Sequence, residues 1–295
     1  MNGRTYGILL VSIATVMWSS AGLFVRLLGL DTWTTLGWRS LFGGLTLLVI
    51  SLYQNRRPTP AGTKHAIGLY LFAGFIAGLS MFGYIGALKF TSVANVLAIY
   101  ATTPFICAGI AFLWMRERAE RRVLIASGIA LIGVLVVVGF AARFDDLAGN
   151  GLALLMTVSF AYLLIFARRH PALKLAPVNA VGSGLCLLLS LPLMSHQIPP
   201  PSELAILAVF GSTTSGLAYL LFMTGSRHIQ AAEAGLIGLT DIVLGPLWVY
   251  LAFGENPGMP TTIGGALILF SVVWYMWGRL RAARALSRQR LKSAA

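Results

Sequence analysis

The chain has 295 residues, of which 57% are hydrophobic and 11% charged, with 32 glycines. A soluble core of that size needs a charged surface that these counts do not supply, and an outer-membrane barrel needs short alternating segments rather than long apolar runs. The net charge of +13 would suggest nucleic acid in a soluble protein, but its placement between apolar runs assigns it to membrane topology, and no nucleic-acid partner is expected.

An apolar helix needs roughly 20 residues to cross the hydrocarbon, and ten runs meet that length, at about 6–28, 33–53, 65–88, 91–114, 123–141, 150–167, 175–194, 203–225, 231–253 and 261–278. Span 1 follows Arg4 and could be mistaken for a signal peptide, but its counterpart in the second half argues against cleavage. Span 2 holds Arg39 about two turns from its outer end, where it can snorkel outward or pair inside the bundle. Span 3 offers Ser80 and Tyr84 on one face, with Met81 as an adaptable apolar surface.

Span 4 carries Asn95, Tyr100, Thr102 and Thr103 around Pro104. A proline frees a helical carbonyl that can face a cavity, or it marks a kink supported by threonine hydroxyls. Spans 5 and 10 are nearly featureless apart from Gly128, Gly133, Gly264 and Gly265, as expected of helices that pack by close backbone contact and face lipid. Span 8 runs Ser212-Thr213-Thr214-Ser215-Gly216, with Tyr219 one turn beyond Ser215, which fits either a site or polar packing.

Span 9 places Asp241 near its middle, where an acid costs about 2.5–3.5 kcal/mol on insertion scales and must face protein or water. Gly238, Asp241, Gly245 and Trp248 form a helical stripe that sets a carboxylate and an aromatic over a low surface. Asp241 either binds a substrate ammonium, carries a coupling proton, or is a buried acid tied to a neighbouring hydroxyl or backbone group. A cavity of Tyr84, Tyr100, Tyr219 and Trp248 suits an amphipathic or aromatic solute, and suits a sugar phosphate poorly.

With the N-terminus inside, 18 basic residues lie on one side: Arg4, Arg56, Arg57, Lys64, Arg116, Arg118, Arg121, Arg122, Arg168, Arg169, Lys174, Arg227, Arg279, Arg281, Arg284, Arg288, Arg290 and Lys292. The other side has Arg26, Lys89 and Arg143. This positive-inside bias predicts both termini in the cytoplasm. Cys107 and Cys186 fall within spans and imply no disulfide framework, and the histidines (His65, His170, His196, His228) show no metal spacing. Neither a cofactor nor a metal is expected. No span pairs a mid-membrane histidine with a serine and Asp241 is the one mid-membrane acid, so an intramembrane enzyme is a remote alternative and no catalytic residue is assigned.

The ten spans fall into two sets of five. Thr15–Arg26 aligns with Thr157–Arg168, pairing Trp18 with Phe160, and on a second register Lys89 aligns with Arg227, Glu117 with Glu255 and Thr103 with Asp241. An odd number of spans per repeat inverts one copy relative to the other. The domains are therefore read as 1–146, 147–279 and a basic cytoplasmic tail at 280–295.

These residues resemble the EamA-type members of the drug/metabolite transporter superfamily: Arg39 in Leu36-Gly37-Trp38-Arg39-Ser40-Leu41, the small-residue span with Pro104, Glu117 after Trp114-Met115-Arg116, and Gly128–Gly133. The second half repeats the pattern with Pro246, Gly254-Glu255 and Gly264–Ile268, and departs from it by carrying Thr240-Asp241. Within the family the chain looks most like the YddG-type bacterial exporters of aromatic amino acids. The resemblance implies an all-α inverted five-plus-five fold, with spans 3, 4, 8 and 9 lining a central cavity, spans 1, 2, 6 and 7 flanking it, and spans 5 and 10 outside.

It also implies structural roles for Arg39, Glu117 and Glu255, the two glutamates helping to start spans 5 and 10. The expected substrate-binding set is Asp241, Trp248, Tyr84, Ser80, Met81, Tyr100, Asn95, Tyr219 and Ser215, with Pro104, Pro246, Gly238 and Gly245 as hinge or gating positions. The expected activity is export of small amphipathic metabolites, aromatic amino acids foremost, across a bacterial inner membrane by a monomer or weak dimer. A lipophilic-cation exporter of the same superfamily is the alternative.

Overall fold

The computed structural model describes residues 3–55, 67–139, 147–195, 197–254, 256 and 258–293. Ten helical spans are long and apolar enough to cross a membrane: Gly3–Leu27, Thr32–Gln54, Ile67–Phe90, Val93–Met115, Arg121–Val138, Leu147–Arg169, Leu175–Leu193, Pro201–Ser226, Ala231–Phe253 and Gly258–Gly278. The last helix continues unbroken to Ser293. Among the described residues there is no strand.

Span 3 packs on spans 6 and 7, span 2 on spans 7 and 8, span 1 on spans 8 and 9, and spans 4 and 9 on each other. Small residues permit these approaches. A Cβ on Gly182 of span 7 would lie 2.7 Å from Ala77 Cβ of span 3, and one on Gly43 of span 2 would lie 2.6 Å from Ser215 Cβ of span 8. Spans 5 and 10 pack together, with Gly133 set directly against Gly264: a Cβ on Gly133 would stand 2.7 Å from the Gly264 carbonyl oxygen.

Three spans are broken, each where a hydroxyl takes the carbonyl three residues back and competes with the helical ladder. Span 1 divides into 1a (Gly3–Ser19) and 1b (Ala21–Leu27), with Ser19 Oγ donating to the Val16 carbonyl at 2.7 Å and Ser20 Oγ to that of Met17 at 2.6 Å. Span 4 divides into 4a (Val93–Tyr100) and 4b (Thr103–Met115), with Thr102 Oγ1 donating to Ile99 O at 2.6 Å. Span 9 divides into 9a (Ala231–Gly238) and 9b (Asp241–Phe253), with Thr240 Oγ1 donating to Ile237 O at 2.7 Å.

Spans 4 and 9 match segment for segment at an offset of 138 residues (231 against 93, 241 against 103, 253 against 115). Each also ends in a left-handed residue, Arg116 at φ 54° and Gly254 at φ 69°. The two meet at their breaks, where Tyr100 Oη lies 3.3 Å from the Cβ position of its counterpart Gly238.

The breaks lie at Thr102, two residues before Pro104, and at Thr240, six residues before Pro246. Pro104 occupies the first turn of 4b, where its missing N–H has no intrahelical acceptor to lose. Pro246 sits inside 9b, past the break. Gly245 faces the Ser19 carbonyl oxygen, 3.7 Å from its Cβ position.

Span 8 departs from the α-helix in another way. Gly211–Ala218 is π-helical, between Pro201–Phe210 and Tyr219–Ser226, and runs beside span 2, with Ser212 and Thr46 hydroxyls 2.9 Å apart. Such segments recur at functional sites because they turn backbone carbonyls and side chains out of helical register.

Candidate functional site: a one-ended cavity

A cavity of about 410 Å³ lies among the spans. Its polar side chains include Asp241, Arg39, Ser80, Ser215, Tyr84 and Tyr100, and its apolar wall includes Trp18, Met81, Leu97, Phe160 and Phe210. Its lining extends to Leu30, Thr32, Leu88 and Val93, beside the connections between spans 1 and 2 and between spans 3 and 4, where Thr32 and Val93 are exposed.

Trp18 anchors the wall. Its indole Nε1 donates to the Thr214 carbonyl in the π-helical stretch at 2.8 Å. The ring stands edge-on to Phe160 at 6.0 Å and to Tyr219 at 5.7 Å, with Phe222 behind at 4.7 Å. Tyr219 is buried, and its hydroxyl has no hydrogen-bond partner among the described residues. A buried hydroxyl in that condition is costly unless a ligand or water completes it.

Asp241 is the first residue of 9b, so its carboxylate stands at a helix N-terminus. It faces the cavity, and no hydrogen bond or ion pair to it occurs among the described residues. Ser80 Oγ donates to the Met156 carbonyl at 3.2 Å, linking spans 3 and 6 at the cavity wall.

Of the nine residues expected to bind substrate, seven line this cavity: Asp241, Tyr84, Ser80, Met81, Tyr100, Tyr219 and Ser215. Asn95 does not. It is fully buried and turned to span 6, with Nδ2 donating to Asn150 Oδ1 at 3.1 Å and to Thr91 Oγ1 at 2.7 Å. Trp248 does not either, because seven residues of helix carry it about 10 Å beyond Asp241, and its Nε1 donates instead to Ser19 Oγ at 2.8 Å.

Arg39, expected to be structural, lines the cavity. Spans 1, 2 and 6, expected to flank it, contribute Trp18, Leu36 and Phe160 to its wall, because the break in span 1 and the close approach of spans 2 and 8 bring them inward. Glu117 does not start span 5. Glu120 takes that position, while Glu117 pairs with Arg168 of span 6 at 2.9 Å. Glu255 lies outside the described residues.

The opposite end is closed by charge. Arg4 pairs with Glu233 at 2.6 Å and also donates to Tyr275 Oη at 3.4 Å. Arg227 donates to the carbonyls of Ala167, His170, Pro171 and Leu173, binding the end of span 8 to the turn between spans 6 and 7. Burial lowers the Arg227 pKa to about 10 against the opposing influence of Tyr70. At the corresponding position Lys89 makes no such clamp, its ammonium lying 5.2 Å from the centre of the Trp33 ring. Glu233 gave no signal in the sequence beyond being a second acid at the edge of span 9. Trp18 was visible only as half of an aligned aromatic pair.

The ten spans, the broken helices and the cavity between them fit a known family, whose profile matches residues 5–139 and again 147–277. The chain belongs to the EamA-like transporter family. It is 26% identical over 272 residues to an uncharacterized transporter of Archaeoglobus fulgidus, covering 91% of this chain and 95% of that protein. It is also 23% identical over 246 residues to the biotin transporter of Escherichia coli, covering 78% and 80% of the two chains. A solved crystal structure shares the fold, with a TM-score of 0.76 at 19% identity, over 91% of this chain and 96% of the other. The protein is thus a multi-pass membrane transporter and not an enzyme, acting on small molecules within a lipid bilayer.

Proposed function

We propose that this EamA-family transporter exports small amphipathic metabolites, aromatic amino acids foremost, across a bacterial inner membrane by alternating access. The carrying observation is the cavity itself: an aromatic wall of Trp18, Phe160 and Tyr219 beside one inward-facing carboxylate, Asp241. The wall takes a ring, and Asp241 takes the ammonium. Residues 1–146 and 147–279 are read as two inverted repeats, a reading supported by the 138-residue register of spans 4 and 9. With both termini in the cytoplasm, the cavity faces outward and the Arg4–Glu233 and Arg227 contacts close the inner end. One chain contains the whole pathway, so a monomer suffices.

Flux of labelled phenylalanine in proteoliposomes, with and without a pH gradient, tests this reading. Uptake or release by the protein supports it, and dependence on the gradient separates proton coupling from facilitated diffusion. Absence of flux for every amino acid tried would sink the substrate assignment. The unpaired Asp241 also favours a second reading, export of lipophilic cations. Biotin belongs in the same panel, because a relative carries the name of a biotin transporter.

A further inference from the structure

We infer that Arg39 is the anion-recognition residue of the cavity, so that the transported solute carries a carboxylate. The inference rests on the transporter reading above and narrows its substrate class. Arg39 stands inside span 2, where a cation is costly unless it faces protein or water. Its Nε donates to Thr214 Oγ1 at 3.2 Å, and that hydroxyl in turn donates to the Phe210 carbonyl at 2.7 Å. The guanidinium lies over the Phe210 ring, its central carbon 4.7 Å from the ring centre. The group is therefore fixed on two sides, by a hydrogen bond and by an aromatic face.

What remains is the outer edge of the fork. Among the described residues no acid pairs with Arg39 and neither terminal nitrogen has a protein acceptor, while the residue lines the cavity. A planar guanidinium held in one orientation with its terminal N–H groups free matches a carboxylate bidentately. A snorkelling or purely structural arginine would instead end in water, at a helix C-terminus or on an acid. Asp241 does not neutralise it, since no ion pair joins the two. The cavity thus presents separate sites for opposite charges, with the aromatic wall formed by Trp18 and Phe160.

The test is equilibrium binding of 3-phenylpropionate, phenethylamine and phenylalanine to the purified full-length protein and to Arg39→Gln and Arg39→Lys. Removing the fork should weaken phenylpropionate and phenylalanine by about 10- to 100-fold and leave phenethylamine unchanged. Arg39→Lys keeps the charge and should retain part of the affinity, which covers the case in which Arg39→Gln misfolds. Equal weakening of the amine, no effect of either variant on the acids, or no binding of any carboxylate by the wild-type protein would each overturn the inference. Carboxylate binding lost in Arg39→Gln, with no flux in proteoliposomes, would sink the transport reading and leave the role of Arg39 intact.

Discussion

Removing Arg4 should expose how much the closed end depends on one ion pair. Glu233 is fully buried, and its Oε1 accepts from Arg4 Nη2 at 2.6 Å, while Oε2 has no partner among the described residues. Breaking a fully buried pair costs about 3–5 kcal/mol, because a desolvated charge is left unpaired. Arg4 retains 34% of its side-chain exposure, so part of its attraction to Glu233 is already screened by solvent. We expect Arg4→Met to cost about 2–4 kcal/mol, seen as a fall of about 4–10 °C in the melting temperature of the detergent-solubilised protein. Glu233→Gln keeps the shape and removes the charge, so the double variant Arg4→Met/Glu233→Gln should recover most of the loss. The coupling in this cycle should exceed about 1 kcal/mol. Strictly additive effects, or an Arg4→Met protein as stable as the parent, would refute the claim that this pair closes the end of the bundle.

Asp241→Asn should give the mirror image of Arg39→Gln, weakening phenethylamine by about 10-fold or more and leaving phenylpropionate unchanged, as equilibrium binding would report. Gly264→Ala places a methyl against the Gly133 carbonyl and 2.6 Å from Val137 Cγ2, and should cost about 1–3 kcal/mol in thermal unfolding without changing ligand affinity. Trp248→Phe loses the bond to Ser19, so it should lower stability by about 1 kcal/mol and leave binding constants unaltered, since the indole is outside the cavity.

Asp31 caps span 2, with Oδ1 accepting from the N–H groups of Trp33 and Thr34 at 3.0 Å each. Slight burial works to raise its pKa, but these bonds and the Thr34 hydroxyl outweigh it and hold the carboxyl below its ordinary 3.8. The stabilisation is therefore present above about pH 4 and fades as the pH falls through the lowered value. Asp31→Ala should cost about 1 kcal/mol at neutral pH, measured as a melting-temperature difference that disappears in acid.

The spans were legible because hydrocarbon thickness imposes a length that composition reveals directly. Their predicted bounds differ from the observed ones by a few residues: 231–253 coincides with Ala231–Phe253, whereas 123–141 ends beyond Val138. A threonine-supported kink beside Pro104 is legible in span 4, whereas the breaks in spans 1 and 9 are not, because no proline adjoins Ser19, Ser20 or Thr240. A threonine's effect depends on its rotamer rather than on its presence. Most of the residues singled out by polarity within apolar runs do line the cavity. Asn95 carries the same polarity for a different reason, since its amide joins spans 4 and 6. The structural role of Arg39 is what the family resemblance implies, and position along a span says nothing of what stands beside it. Thr214 and Phe210, which orient it, are more than 170 residues away in sequence.

If the two halves are inverted repeats, as proposed, the contact between Tyr100 and Gly238 sets them apart. These counterparts touch where spans 4 and 9 cross. Were two copies of the first half to assemble in the same manner, two tyrosines would compete for the space that one now fills. Two copies of the second half would leave two glycines and a hole. On the two-repeat reading, a chain with this pairing cannot be assembled from either half alone, because one side carries a ring and the other no side chain, so the two halves are not interchangeable parts.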